Sequence, residues 1–301
     1  MINILLTGAS GFFGKTISST LASNGYRIFG LPNAIGQHRI DISKPFALNL
    51  NQLTQIVIHA AGKAHSVPKT NRDKQAFYEV NYEGTKNLCH ALEGLDRLPR
   101  SFIFISSVAV YGLDGGQNIN ENNSLKGTTP YAESKIMAES WLAEWAVKNS
   151  IKLSIVRLPL IAGPNPPGNL GAMIDGIKSG KYLSIGQADA RKSVVWAEDI
   201  ARIIPSLAEK GGIYNLTDGY HPTFGELEES ISNALGKRKP IKVPYWLAKG
   251  LAKTGDIIGR FPINSEKLQK ITSTLTFDDS KARKALDWNP TPVLSKIAEM
   301  V

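Results

Sequence analysis

The sequence predicts an α/β fold in which helices cover both faces of a doubly wound parallel sheet, followed by a smaller mixed α/β lobe. In the first half of the chain, short apolar runs alternate with longer helical patterns, which is typical of strand-helix-strand units. A glycine-rich turn directly follows the first apolar run. After residue 168 the alternation breaks, and helices mix with short strands and prolines.

Predicted strands cover residues 3–6, 27–30, 55–59, 101–106 and 153–158, and predicted helices cover 15–24, 77–93 and 131–149. The first helix ends at Asn24 and Gly25, a pair typical of a left-handed helix end. The third begins at Pro130 after two threonines, which supply a hydroxyl cap. The runs 193–196 and 213–216 are candidates for strands that return to the main sheet.

Composition places the chain among ordinary globular proteins, with 301 residues of which 42% are hydrophobic and 20% are charged. We find no signal peptide and no apolar run long enough to cross a bilayer, so we expect no membrane partner. The single cysteine, Cys89, excludes a disulfide within the chain and favours a reducing compartment. These features predict a cytoplasmic protein.

The formal net charge of +9 is spread along the chain, and its densest cluster, residues 237–239, is interpreted as a solvated loop after a helix. We therefore expect no nucleic-acid partner. A positive potential also suits a substrate that carries a diphosphate, because it steers anions toward a cleft.

The turn after the first strand predicts a dinucleotide site. Its glycines permit a close backbone approach to a pyrophosphate, and the helix that follows provides free N–H groups. A glycine-rich turn alone needs no ligand, but this one lies between a strand and a helix, which favours the dinucleotide. The residues expected there are Gly8, Ser10, Gly11, Phe12, Phe13 and Gly14.

This site suggests a division of the chain into two parts. We expect a dinucleotide-binding domain over residues 1–165, with returning segments at about 190–218. Residues 166–189 and 219–301 are then expected to form a substrate-binding lobe.

The second predicted strand leaves both NAD and NADP as cofactors. An acid about twenty residues after the glycines normally holds the adenine ribose hydroxyls. The strand instead ends in residues 31–33, which include Pro32 but no acid. Arg39 or Lys44 is a candidate to contact a 2′-phosphate, and a surface role is the alternative for each. Asp41 is expected to hydrogen-bond the adenine amino group or, alternatively, to cap the following turn.

Three residues form a candidate catalytic set. Tyr131 and Lys135 are four residues apart on one predicted helix, so their side chains point the same way. A nearby ammonium favours the phenolate, which predicts a lowered pKa for Tyr131 and a role as proton carrier. Ser107 ends a predicted strand at the carboxyl edge of the sheet, where ligands bind in doubly wound folds.

At these residues the sequence resembles the extended short-chain dehydrogenase/reductase family, often labelled NAD-dependent epimerase/dehydratase. The resemblance extends over nearly the whole chain, and the matching stretches are residues 57–62, 81–85, 106–112 and 279–290. One departure is Asp287, where glycine is usual, and it concerns only the local turn.

The resemblance implies a Rossmann domain that binds NAD or NADP, with Ser107, Tyr131 and Lys135 as the catalytic triad. In that family the step at Ala61 and Gly62 lies along the cofactor, and the lysine also holds the nicotinamide ribose. Further cofactor contacts implied by the resemblance are Asp41, Ile42, Ala60, Asn81, Ser106 and Leu158.

The resemblance also implies a reaction class. Dehydratases of the family carry an Asp-Glu pair after the serine, whereas Val108 and Ala109 stand here, so dehydration is not expected. Residues 157–164 and 191–195, with Asn169, are similar to a branch that acts at carbon 4 of UDP-N-acetylamino sugars. Many galactose-type epimerases have asparagine at the position of Leu160. We expect a UDP-4-keto-6-deoxy-amino-sugar reductase, with a UDP-sugar 4-epimerase as the alternative.

The substrate contacts implied by the resemblance surround the catalytic set. Asn169 and the pair Arg191 and Lys192 are the candidates for holding the diphosphate, because fixed donors and positive charge suit it. Either basic residue of the pair is in a position to do so. The full set expected to contact substrate is Lys63, Ser107, Val108, Asn169, Arg191 and Lys192.

The sequence also bears on two other functions and on the oligomeric state. A non-catalytic nucleotide-binding protein is disfavoured because both Tyr131 and Lys135 are present. A steroid-type oxidoreductase would be expected to show an apolar membrane-facing helix, which the sequence pattern does not indicate. The resemblance implies a homodimer through helices 77–93 and 131–149, with Trp141 and Trp145 in the interface or in the core.

Overall fold

The computed structural model describes residues 1–31, 40–50, 53–64, 66–258 and 264–301. Its strands are β1 (Asn3–Thr7), β2 (Arg27–Gly30), β3 (Ile56–His59), β4 (Ser101–Ser107), β5 (Gly116–Ile119), β6 (Lys152–Leu158), β7 (Leu160–Ala162), β8 (Leu183–Ile185), β9 (Val194–Trp196), β10 (Gly212–Asn215), β11 (Ile241–Val243) and β12 (Leu275–Phe277).

Its helices are α1 (Phe12–Ser23), α2 (Asn71–Tyr78), α3 (Gly84–Glu93), α4 (Pro130–Lys148), α5 (Gly168–Lys178), α6 (Ala197–Arg202), α7 (Ile204–Lys210), α8 (Phe224–Ala234), α9 (Tyr245–Ile258), α10 (Ser265–Thr272), α11 (Ser280–Leu286) and α12 (Ile297–Met300). A π-helical turn (Glu79–Glu83) joins α2 to α3, and 3₁₀ turns cover Val108–Tyr111 and Val293–Lys296.

The main sheet is parallel and has six strands in the order β10-β6-β4-β3-β1-β2. From β1 the chain moves outward to β2 and then crosses back to β3, on the other side of β1. The strand order therefore reverses between β1 and β3. Ligands of doubly wound folds bind at such a switch point, outside the carboxyl ends of the strands.

Helices bury both faces of this sheet, because successive side chains of each strand point to opposite sides. Ile4 and Leu6 pack in the cluster that also contains α1 and α7 residues, whereas Leu5 packs in the cluster with α3 and α4 residues. Each fully buried aliphatic side chain contributes about 1.5–3 kcal/mol. The two apolar clusters therefore fix both helix layers against the sheet.

Short parallel strand pairs and helices form the remaining part. β8 pairs with β11, β5 with β12, and β7 with β9. A separate apolar cluster holds α5, α8 and α12 together around the buried Trp196 and includes Leu170, Met173, Leu227, Ile231 and Ile297.

The α/β fold class with a parallel sheet is confirmed, and the predicted first-half strands match β1, β2, β3, β4 and β6 within about one residue. Gly25 has a φ of +82°, as expected of a left-handed helix end, and Thr129 caps α4 before Pro130. The run 213–216 returns to the main sheet as β10.

Two expectations about elements were wrong. The single helix predicted over 77–93 divides into α2, the π turn and α3, because a capping box of Thr70 and Asp73 starts α2 earlier. The run 193–196 does not return to the main sheet. Its strand β9 pairs instead with β7, which directly follows β6 in the chain.

Membrane-spanning segments were also sought in the part of the chain that the structure describes. There, no helix combines the length and the apolar character needed to cross a bilayer.

Candidate active site

The glycine turn at the end of β1 can adopt its tight backbone only because its glycines lack side chains. Gly8 has a φ of +73°, and a Cβ there would lie 2.8 Å from the backbone of Ala60. At Gly14 a Cβ would lie 2.2 Å from the carbonyl oxygen of Gly8. Among the described residues no side chain caps α1, whose N-cap is Gly11. Its first N–H groups are therefore free for an anion, and the turn fits a dinucleotide.

The other residues of the turn are either exposed at its surface or packed against neighbouring residues. Ser10 and Gly11 are exposed at its tip. The Phe13 ring packs against the core, and the Phe12 ring lies against Gly163, where a Cβ would be 3.0 Å away.

A chain of polar side chains anchors this turn to the end of β3. Thr7 Oγ1 accepts a hydrogen bond from the Ala61 N–H at 3.0 Å and lies 2.6 Å from His59 Nδ1. His59 Nε2 lies 2.9 Å from Thr85 Oγ1, which donates to the carbonyl of Asn81. Burial, together with a smaller effect of the nearby Lys135, lowers the pKa of His59 to about 3. A neutral imidazole therefore links the two strand ends at the switch point.

Asn81 fixes the segment that follows Ala61 and Gly62. Its Oδ1 accepts from the Lys63 N–H at 2.7 Å, and its Nδ2 donates to the Lys63 carbonyl at 3.1 Å. Nδ2 also lies 3.0 Å from Ser134 Oγ on α4. The residue belongs to the π-helical turn, a distortion that is frequent at functional sites. Its amide thus serves the backbone along the predicted cofactor path.

Ser107 and Tyr131 meet at the carboxyl edge of the sheet. Ser107 ends β4, and its Oγ accepts from the Ala109 N–H at 3.2 Å, which starts the 3₁₀ turn. Tyr131 stands in the first turn of α4, and the Ser107 hydroxyl is close enough to lower the pKa of its phenol. The structure therefore brings these two predicted residues together.

The predicted lowering of the Tyr131 pKa by Lys135 was wrong. Burial raises the pKa of Tyr131, and the hydrogen bond from Ser107 offsets only part of this effect. The reason is the position of the lysine ammonium, whose Nζ donates to the Ile105 carbonyl at 2.9 Å and lies 4.5 Å from the Phe104 ring centroid. At neutral pH the phenol therefore carries its proton.

Lys135 is itself buried beside the predicted cofactor path. Burial lowers its pKa to about 8, while the carboxylate of Glu139 acts in the opposite direction. A Cβ at Gly62 would lie 3.5 Å from Lys135 Nζ, so the two residues are neighbours. This position matches the expected contact of the lysine with the nicotinamide ribose.

Ser106 points away from Ser107, since alternate residues of a strand face opposite sides. Its hydroxyl donates to Glu139, which forms an ion pair of 2.6 Å with Arg157. Both side chains of that pair are 4% exposed. Arg157 also donates to the Tyr111 hydroxyl at 3.1 Å. The predicted cofactor role of Ser106 is thus limited to its backbone, because its hydroxyl belongs to this buried network.

The residues expected near adenine are in the segment after the undescribed residues 32–39, which include Pro32 and Arg39. Asp41 Oδ1 accepts from the Ser43 N–H at 3.1 Å and from its hydroxyl at 2.7 Å, and these bonds lower the pKa of Asp41. This is the turn-capping alternative for Asp41. The Ile42 side chain packs against Gly84, and Lys44 is exposed.

Lys192 and Arg191 point in different directions, although both were candidates for the diphosphate. Arg191 Nη1 donates to the His221 carbonyl at 2.9 Å, and its guanidinium lies over the Tyr220 ring, 5.9 Å from the centroid. Lys192 is 9% exposed, and burial lowers its pKa to about 8, with Asp114 opposing. Within the described residues its ammonium has no hydrogen-bond partner. Lys192 is therefore the cation of the pair that is available to an anion.

The remaining predicted contacts lie around the catalytic set. Lys63 Nζ lies 5.5 Å from the Phe77 ring centroid, and that ring contacts Tyr131 edge to face. Val108 is half-buried beside Ser107, and Asn169 is exposed in the first turn of α5. Leu158 is 2% exposed and belongs to the core at the end of β6.

Sequence reasoning missed the residues that hold the site in place. The support of the turn by Thr7, His59 and Thr85, and of α4 by Glu139 and Arg157, depends on bonds between distant segments. A buried histidine at a strand end and a glutamate four residues after Lys135 were the only signals available.

Comparisons with known proteins identify a family and several relatives of this chain. The family model described as the NAD dependent epimerase/dehydratase family matches residues 4–217. The chain is 28% identical to the N-acetyl-alpha-D-glucosaminyl-diphospho-ditrans,octacis-undecaprenol 4-epimerase of Escherichia coli O157:H7, over 94% of this chain and 89% of that protein. It is 27% identical to the GDP-6-deoxy-D-mannose reductase of Pseudomonas aeruginosa, over 76% of this chain and 79% of that protein.

A solved structure with a similar fold is that of RMD from Pseudomonas aeruginosa complexed with NADPH. It superimposes with a TM-score of 0.78 at 22% identity and covers 99% of this chain and 97% of that chain. The likeness supports the Rossmann-type arrangement of the sheet and helices.

Proposed function

Because this chain belongs to the NAD-dependent epimerase/dehydratase family, we propose that it acts at carbon 4 of a UDP-linked sugar as a 4-keto-6-deoxy-amino-sugar reductase. Family membership makes the chain an enzyme of the nucleotide-sugar epimerase and reductase group that uses NAD or NADP. The observation that carries the proposal is the contact of Ser107 with Tyr131, beside the glycine turn and Lys135.

The chain's own residues supply the proton in this reaction. The reduced cofactor, when bound, supplies the hydride that carbon 4 accepts. Tyr131 donates its phenolic proton to the former carbonyl oxygen, which becomes the product hydroxyl, and water then returns a proton to the phenolate. Ser107 holds the same oxygen through its hydroxyl. Lys135, still largely protonated at neutral pH, is assigned to the nicotinamide ribose, and it would stabilise the transient phenolate once its ammonium leaves the Ile105 carbonyl.

The direction of reaction is argued from two sequence features outside the catalytic set. Leu160, in place of the epimerase asparagine, and the absence of an acid from residues 31–33 agree with a reductase that exchanges its cofactor.

The diphosphate of the substrate is assigned to Lys192. The Lys192 side chain is 9% exposed, its ammonium lacks a hydrogen-bond partner among the described residues, and a partly desolvated cation binds a phosphate more strongly than a fully exposed one. Asn169, exposed at the start of α5, is proposed as a second donor. Arg191 has its guanidinium engaged by the protein and is not required for this contact.

A 4-epimerase is the second candidate, and the relative from Escherichia coli favours it. That protein's name describes a sugar on a polyprenyl diphosphate, so the shared recognition element would be the diphosphate rather than a nucleoside. An epimerase would use Ser107, Tyr131 and Lys135 in both directions and retain its cofactor between turnovers. The two candidates therefore differ in cofactor consumption, not in the catalytic residues.

A homodimer through α3 and α4 is part of the proposal. Trp145 is 4% exposed and donates to Glu93, so it belongs to the core. Trp141 is half-buried, and Met137 is 40% exposed on the same helix, which leaves these two for the interface. Sedimentation of the purified protein tests this assembly. A cytoplasmic location is proposed with it, since the single cysteine is buried and reduced.

The reaction is tested with two incubations of the purified protein. The first supplies a UDP-4-keto-6-deoxy amino sugar with NADPH or NADH, and we expect oxidation of the cofactor with formation of the 4-hydroxy product. The second supplies UDP-N-acetylglucosamine and UDP-glucose without added cofactor, and we expect no 4-epimer. Epimer formation in the second incubation, without cofactor consumption in the first, would replace the reductase by the epimerase.

A further inference from the structure

An exposed apolar face lies on α9 and the adjoining strand pair β8 and β11, far along the chain from the catalytic residues. Trp246 is 74% exposed, Leu247 41% and Leu251 40%. Leu183 and Ile241 stand opposite each other in the β8–β11 register and are 53% and 74% exposed. Together with Tyr245, which is 48% exposed, these residues define what we call the apolar patch.

The patch follows from how α9 packs. Ala248 and Ala252 face inward, where they contact Leu268 of α10 and the side chains of Ile185 and Val243. These alanines are small and nearly fully buried, so the helix rests closely on its neighbours. Trp246 and Leu247 are left on the outward side of the helix, with Leu251 at its flank. Stability alone favours a helix that buries its large apolar side chains and exposes its small ones.

Exposed basic residues outnumber acidic ones in the segment that carries the patch. Six basic residues occur between 237 and 255, and the first acid after them is Asp256. All six are exposed, and they are Lys237, Arg238, Lys239, Lys242, Lys249 and Lys253. Lys239 pairs with Glu229 of α8 at 2.7 Å, and Lys242 acts on the pKa of Glu228. Lys249 and Lys253 stand on α9 itself, beside Trp246 on the helix surface.

We propose that this patch docks the protein on the surface of a membrane that contains anionic lipids. Aromatic and leucine side chains on one face, with lysines beside them, are the arrangement by which a helix lies in the lipid interface. The lysines complement anionic headgroups, while Trp246 and Tyr245 suit the headgroup level. Such a helix lies on the bilayer and does not cross it, in agreement with the helix lengths.

A second copy of the chain is a poorer occupant for the same surface. A two-fold dimer would bring the patch against itself and place Lys249 and Lys253 near their own copies. Like charges across an interface oppose association, and charged residues are depleted at interface cores. The expectation of no membrane partner rested on the absence of a span and of an apolar membrane-facing helix, and the second of these grounds does not hold for α9.

The test is co-sedimentation of the full-length protein with lipid vesicles. We expect binding to vesicles of phosphatidylglycerol and phosphatidylethanolamine, weaker binding to phosphatidylcholine vesicles, and a decrease with added salt. The double variants Trp246→Ser with Leu251→Ser, and Lys249→Glu with Lys253→Glu, should each weaken binding at least about tenfold. Turnover of a soluble substrate should not change in either variant, because none of these residues contacts the catalytic set.

Matched controls exist on α2 and α4. Val147→Ser removes an apolar side chain that is 83% exposed on α4, and Lys74→Glu with Lys148→Glu makes the same change in net charge. Both controls should bind vesicles as the unaltered protein does. The proposal is overturned if the unaltered protein does not bind the anionic vesicles, or if the controls lose as much binding as the patch variants. It is also overturned if the patch variants dissociate an oligomer in the absence of lipid.

Discussion

Tyr131 and Lys135 share one face of α4 but have different immediate partners in the cofactor-free protein. The phenol contacts Ser107, whereas the ammonium is held by the Ile105 carbonyl and the Phe104 ring. Spacing on a helix predicts which side chains share a face, but not which acceptor a flexible lysine selects. The residue pattern therefore predicted that Ser107, Tyr131 and Lys135 lie close together, and was insufficient to predict the direction of the Tyr131 pKa.

Replacement of Tyr131 by phenylalanine tests the proton carrier. The ring still packs against Phe77, so the fold and cofactor affinity should be retained. We expect turnover to fall at least about a hundredfold, equivalent to about 2.7 kcal/mol in the barrier. Steady-state kinetics with a melting curve checks both statements. Turnover close to that of the unaltered enzyme would remove Tyr131 from the mechanism.

The neighbouring cations Lys192 and Arg191 can be tested separately for binding of the diphosphate. If Lys192 holds the diphosphate, Lys192→Ala should raise KM for the sugar substrate at least about tenfold and leave cofactor affinity nearly unchanged. Arg191→Ala is the matched control and should alter KM only slightly, because its guanidinium contacts Tyr220 and the His221 carbonyl. A larger effect in the arginine variant would reverse the assignment.

The lowered pKa of Lys192 also predicts a pH dependence. An amine with a pKa of about 8 is charged below that pH and neutral above it. Hence KM for the diphosphate substrate should rise as the pH increases above about 8. In Lys192→Arg the guanidinium stays charged, so this rise should disappear. Lys135 has a similar pKa, and its titration should appear in kcat of both proteins. An unchanged rise of KM in the arginine variant would exclude Lys192 as its source.

At the scale of elements, α4 carries the largest share of the site. Its first turn presents Tyr131, its second presents Lys135, and its third presents Glu139 to Arg157 and Ser106. A buried ion pair of this kind is costly to break, since one charge would remain without a partner. The helix and its cap were predictable from residues 128–130. The ion pair was not, because its partner lies on another strand.

The residue that ends α11 differs from the family pattern, and we expect this difference to lower the free energy of unfolding. Asp287 has a φ of +54°, at the position where the family pattern has glycine. Asp287→Gly should therefore stabilise the protein by up to about 1 kcal/mol. Lys284→Gly in the same helix is the control and should destabilise by about 1 kcal/mol, since glycine is unfavourable inside a helix. Chemical denaturation measures both, and a loss of stability in Asp287→Gly would show that its side chain stabilises the turn.

At the scale of the whole molecule, the order of strands explains where the prediction succeeded. Alternation of apolar runs predicted the α/β sheet, and the glycine turn lies at the end of β1, beside the point where the strand order reverses. The partner of β9 was not predictable, because a short apolar run pairs equally well with any free strand edge. The apolar patch on α9 was also not predictable, because it depends on alanines occupying the inward positions of the helix.

The central claim is that this protein transfers a hydride to carbon 4 of a diphosphate-linked sugar, with Tyr131 as the proton donor. The most direct test uses reduced cofactor carrying deuterium at the transferable position and a UDP-4-keto-6-deoxy amino sugar. The account predicts one deuterium at carbon 4 of the product for each cofactor oxidised, measured by mass spectrometry and NMR, and a strong loss of this transfer in Tyr131→Phe. Product without deuterium at carbon 4, or no oxidation of the cofactor, would contradict it.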